Sequence, residues 1–134
     1  MFTGHVPYDD VPDYVNALDL GVSLLLPQDQ LHSEQKVRQY VACGKPVVAT
    51  TPGGNDFLRD EDLGSLVRHD DVEAIAVELG RWLSIPNKTA FAARAVQFAR
   101  DHMSVEQGVA RRLTLWNEGL RRSRANRGQR WARG

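Results

Sequence analysis

Apolar residues along the chain switch between two periods. From Asp9 to Leu18 the apolar positions Val11, Tyr14, Val15 and Leu18 fall on one face at helical spacing. Pro12 is tolerable there because a first turn leaves its N–H groups unpaired anyway. Leu20 to Leu26 is a near-continuous apolar run ending at Pro27. Its length suits a strand buried on both faces, the pattern of a parallel sheet. After a polar stretch, Ser33 can cap a helix that runs to about Cys43 and is closed by Gly44. Pro46 to Thr50 predicts a second buried strand, Asn55 to Arg59 a helical turn, and Gly64 to Arg68 a third strand.

The remainder reads as helix. Asp70 or Asp71 caps a segment carrying Val72, Ile75, Ala76, Leu79 and Leu83, which Ile85 and Pro86 end. Two more helices are predicted, about Lys88 to His102 and Ser104 to Arg122. The second opens on Ser104 with Gln107 three residues later, a capping-box pattern. Strands alternating with helices predict an α/β fold: a parallel sheet of about three strands, flanked by helices and followed by C-terminal helices. The expected division is a domain over residues 1–120 and a solvated, poorly ordered tail over 121–134.

Composition narrows the setting. The 134 residues are 42% apolar, enough for one modest core. Seventeen basic side chains balance seventeen acidic ones, so overall charge gives no case for nucleic-acid binding. The tail differs, with six Arg and no acid from Arg121 to Gly134. Solvation is its plain reading, and contact with an anionic lipid or phosphate is the alternative. A single cysteine, Cys43, excludes an internal disulfide and favours a reducing, cytoplasmic compartment. It reads as a small buried thiol. His5, His32, His69 and His102 have no metal-ligand spacing, and no metal is expected. No apolar run approaches the ~18 residues of a membrane span, and the N-terminus has no secretory pattern. Trp82, Trp116 and Trp131 read as packing or tail residues rather than sugar platforms.

One junction could carry chemistry. Ligands of open α/β sheets bind beyond the carboxyl ends of the strands. The first such place here is Pro27 to Gln39. A helix beginning near Ser33 offers free backbone N–H groups and a positive dipole end, suited to a diphosphate. Lys36 adds charge in the first turn. Gln39, three residues on, shares its face and can both donate and accept, as a ribose diol requires. A capped helix with a solvated lysine explains the same residues.

The stretch Ser33 to Thr50, reading SEQKVRQYVACGKPVVAT, resembles the donor-site helix and strand of the group 1 (family 4) glycosyltransferases. Many of these read Ser-Pro-x-Lys-x-x-Glu-Tyr-x-Ala-x-Gly-Lys-Pro-Val-Val-Ala-Thr. The flanks agree in order, from Phe2 to Tyr14, through Leu18 to Pro27, Thr51 to Gly54, Gly64 to Val67 and Asp70 to Ile75, to Ser104 to Trp116. The resemblance implies the C-terminal, nucleotide-sugar-binding domain of a GT-B fold, Rossmann-like but partial. It implies that Gln39 takes the place of the Glu that holds the ribose. Ser33 and Lys36 would lie near the diphosphate and sugar, and His5 and Val6 near the base. Leu31 stands where the family often has an acid. An amide binds a diol more weakly than a carboxylate does.

The same resemblance implies glycosyl transfer from a nucleotide-sugar to an unassigned acceptor, with no cofactor beyond the donor. It assigns no catalytic residue. It also implies that the first domain and about half of the second are absent. The chain alone is then expected to be inactive, and to need the missing portion, a partner chain or a second copy along its open strand edge. A non-catalytic module packing on a partner, and a nucleotide-sugar epimerase of the same fold, are the alternatives.

Overall fold

The computed structural model describes residues 3–26, 35–50 and 54–131. They form two units, Met1–Arg100 and Asp101–Gly134. In the first, a 3-10 turn at Tyr8–Asp10 leads into α1 (Val11–Asn16). Then come β1 (Gly21–Ser23), α2 (Gln35–Ala42), β2 (Val47–Thr50), α3 (Phe57–Asp60), β3 (Gly64–Val67) and α4 (Val72–Leu83). α5 follows at Lys88–His102, and α6 at Val105–Trp131 lies in the second unit. The three strands form one parallel sheet in the order β1-β2-β3, so the α/β expectation holds.

Register explains which side chains are buried. Val22, Val48 and Ser65 are register partners on one face, and Gly21, Val47 and Gly64 on the other. α2 packs on the second face. A Cβ on Gly21 would sit 2.3 Å from the Tyr40 ring, so only glycine admits that tyrosine. α4 packs on the first face against β2 and β3. There Trp82 is buried, donates its indole N–H to the Ser65 hydroxyl at 2.8 Å, and meets the Phe91 ring edge-on at 5.6 Å. Ser65 in turn donates to the Glu78 carboxylate. Phe57 stacks on Phe98 of α5 at 5.8 Å. Val37, Val41, Val47, Val48, Leu58 and Leu63 complete the core.

Two expectations are corrected. β1 is shorter than the apolar run Leu20 to Leu26, and it is not buried on both faces. Val22 is 38% exposed and Leu24 45%. The reason is position: β1 is an edge strand, and α4 lies over β2 and β3. The last helix also runs on to Trp131 rather than ending near Arg122. Arg, Ala and Gln are good helix formers, and no proline interrupts the segment.

Helix ends follow the local chemistry. Asp71, not Asp70, caps α4 by accepting from the Ala74 N–H at 2.9 Å. The Ser104 hydroxyl accepts from the Gln107 N–H at 3.2 Å. α2 closes with Gly44 at φ +72°; Lys45 N–H bonds the Tyr40 carbonyl and Gly44 N–H the Val41 carbonyl. That is a Schellman pair, which requires a residue in the left-handed region.

Candidate functional site

Three parallel strands send their following loops out of the same end of the sheet. α2 starts at that end, because it must run back to the beginning of β2. Lys36 therefore lies in the turn of α2 nearest the carboxyl ends of β1 and β2, and Gln39 follows near the middle of the helix. Val37 and Val41 are fully buried toward the sheet, Lys36 is exposed, and Gln39 is half-buried. Neither Lys36 nor Gln39 bonds its side chain to another described residue. α2 has no acid in its first turn, so no described carboxylate neutralises Lys36 there. Ser33 and the loops at 27–34 and 51–53 lie outside the described residues.

His5 and Val6 sit just before the 3-10 turn that opens α1, His5 exposed and Val6 half-buried. The Lys45 ammonium donates to the Asn16 carbonyl at 2.9 Å, which ties the last turn of α1 to the residue before Pro46 and β2. α1 packs against α2. No described hydrogen bond joins His5 or Val6 to Lys36 or Gln39.

The same end of the sheet contains a feature that the sequence pattern did not disclose. β1 and β2 stop pairing after Ser23 and Ala49. The buried Thr50 side chain bridges the gap: its hydroxyl accepts from the Leu25 N–H at 2.8 Å and donates to the Leu25 carbonyl at 2.9 Å. A side chain thus replaces one rung of the ladder. The strands can diverge there without leaving the Leu25 backbone unpaired. The only sequence signal was a hydroxyl residue ending an apolar strand. Asn55 is also buried, next to Gly54 at φ +69°.

Elsewhere the charges are structural. Asp19 pairs with Lys88 at 2.8 Å, and the bond and charge of Lys88 hold its carboxyl below the usual carboxylate range. Arg94 donates to the Glu61 and Asp62 carbonyls. Those bonds secure Asp62, which adopts φ +50° in the turn before β3. Cys43 is half-buried at the end of α2; burial pushes its thiol up, against an opposing pull from Lys45. Among the described residues no group of three His, Cys, Asp or Glu could hold a metal, and no helix is long and apolar enough to cross a membrane.

Open parallel α/β sheets that bind ligands do so beyond the carboxyl ends of their strands, the end at which α2 begins here. Residues 1–84, more than half of the chain, match the family described as glycosyl transferases group 1, and the chain belongs to that family. It is 34% identical over 113 residues to a D-inositol 3-phosphate glycosyltransferase of Salinispora tropica. That alignment covers 84% of this chain and 23% of the relative's length. No solved structure matches the chain.

Proposed function

We propose that this chain supplies the donor side of a glycosyl transfer from a nucleotide-sugar, with the donor held at the start of α2. The observation that carries this reading is the placement of Lys36 and Gln39. They share one helix face, with Lys36 in the turn nearest the carboxyl end of the sheet and Gln39 near the middle of α2, and neither has a side-chain partner among the described residues. Backbone N–H groups of a helix start and an ammonium together favour a diphosphate. Gln39 takes the ribose hydroxyls, Ser33 joins Lys36 toward the diphosphate and sugar, and His5 and Val6 face the base. Developing charge on the leaving diphosphate is met by helix dipole and basic side chains, so the chemistry requires no metal.

Titration calorimetry with UDP, GDP and ADP, and with their sugar conjugates, tests the reading. One nucleotide binds, and Lys36→Ala weakens it about tenfold, the loss of one charge-assisted bond of ~1.5 kcal/mol. Gln39→Glu tightens binding by about 1 kcal/mol, because a carboxylate accepts stronger bonds from a diol. Nucleotide affinity that ignores both substitutions overturns the assignment.

The 134-residue polypeptide by itself transfers no sugar. Transfer needs donor and acceptor held in one geometry, and the chain aligns with 23% of its relative's length. The acceptor stays unassigned, though the relative's name makes phosphorylated inositols the first compounds to try. Turnover above that of heat-killed protein, on a panel of nucleotide-sugars and acceptors, refutes the statement. The outer edge of β1, unpaired among the described residues, fits an added strand from a partner segment or a second copy.

A further inference from the structure

The face that α2 turns to the sheet follows from its sequence at about 100° per residue. Val37 and Val41 are fully buried and define the inner side. They lie about 40° apart, nearly on one line along the helix. Two anchors on one line decide which side faces inward but leave the helix free to rock about that line. A contact off the line is needed to stop the rocking. Tyr40 lies about 60° from Val37, on the side where Lys36 and Gln39 also lie. It is half-buried, at the border between the packed side of the helix and the side with those two residues.

The Tyr40 ring has a fitted seat. A Cβ on Gly21, the first residue of β1, would lie 2.3 Å from Cδ2 and 2.4 Å from Cγ of Tyr40. Cγ is one bond from the Tyr40 Cβ, so a swing of the far end of the ring relieves nothing. On the Lys36 side, α2 and β1 thus meet through one tyrosine ring against a strand position that has no side chain.

We propose that Tyr40, seated on Gly21, is a positioning residue for the nucleotide-sugar: it fixes the rotation of α2 and so presents Lys36 to the diphosphate and Gln39 to the ribose. The inference rests on the donor-site reading above. Restoring ordinary contact between a Cβ on Gly21 and the ring, from 2.3 to 3.4 Å, takes a shift of about 1 Å. A good N–H···O bond at about 2.9 Å is lost by about 3.6 Å. A shift of that size on the Lys36 side of the helix is therefore enough to cost a ligand hydrogen bond, although neither Tyr40 nor Gly21 touches the ligand.

Titration calorimetry of the 134-residue protein with UDP, GDP and ADP, beside urea unfolding of each variant, tests it. Gly21→Ala weakens the bound nucleotide about tenfold, the equivalent of one charge-assisted bond, and Tyr40→Ala does the same. Tyr40→Phe keeps the ring and with it the affinity. In the Tyr40→Ala background, Gly21→Ala costs no further affinity, because no ring remains to be displaced. Phe91→Leu, in the core beside Trp82, lowers the urea midpoint and leaves affinity unchanged, which separates positioning from stability. A cooperative urea transition establishes that a variant is folded. If Gly21→Ala does not fold, Tyr40→Ala and Tyr40→Phe decide alone. Unchanged affinity in folded Tyr40→Ala, while Lys36→Ala still weakens binding, overturns the inference and leaves the donor site standing. Loss of affinity in Tyr40→Phe equal to that in Tyr40→Ala also overturns it, by assigning the role to the hydroxyl. Nucleotide binding that is absent, or indifferent to Lys36→Ala, overturns the donor-site reading and this inference with it.

Discussion

Thr50→Val removes the bridge between β1 and β2 while nearly keeping side-chain volume. Thr50 is buried, and both of its hydrogen bonds go to Leu25. The substitution leaves the Leu25 N–H and carbonyl without a protein partner. Such groups cost about 1–3 kcal/mol when buried. Leu25 is half-buried, so water reaches part of the gap and the lower end applies. The added methyl returns at most ~0.8 kcal/mol. A net loss of about 1–2 kcal/mol is expected, read from the shift of the urea midpoint at constant slope. Thr50→Ser keeps the hydroxyl and loses a methyl, about 1 kcal/mol. Stability alone therefore does not separate the two variants. Amide exchange does: the Leu25 N–H keeps its protection in the serine variant and loses it in the valine variant. If Thr50→Val is within 0.5 kcal/mol of the parent, with Leu25 protection intact, the bridging role is wrong.

Gly64→Ala should be the most damaging small change in the sheet. An added Cβ would lie 2.1 Å from the Val47 carbonyl oxygen, a backbone atom of the paired strand, so β2 and β3 must separate. A loss of about 3 kcal/mol or more is expected from such overpacking, and a thermal melt within 1 kcal/mol of the parent contradicts the close approach. The Asp19–Lys88 pair gives a pH signature. Because the folded pKa of Asp19 is lowered, the pair's contribution is present above the unfolded carboxylate value and fades as pH falls through the folded one. Both groups are exposed, so the effect on stability is small. Carbon NMR titration should find Asp19 titrating below the ordinary range, and Lys88→Ala should return it upward; an unchanged Asp19 after that substitution rejects the pairing.

Much of this molecule follows from local patterns. The run Val47 to Ala49 is apolar at every position and too short for a helix, so a buried strand was its natural reading. Asp71, Ser104 and Gly44 punctuate helices because a capping oxygen or a left-handed turn acts within a few residues. Lys36 and Gln39 share a face by helical spacing alone. What the pattern could not give depends on neighbours far away in the chain. Leu20 to Leu26 reads as doubly buried, yet Val22 and Leu24 are exposed, because burial depends on which elements cover a strand. The Thr50–Leu25 bridge joins residues 25 positions apart, and no period in hydrophobicity encodes it. Gly21 and Gly64 look like ordinary strand glycines until Tyr40 and the Val47 carbonyl take up the space. The length of α6 was legible in its helix-forming residues but was underestimated. Local propensity reports which conformation a segment tolerates, while long-range packing decides what each side chain meets.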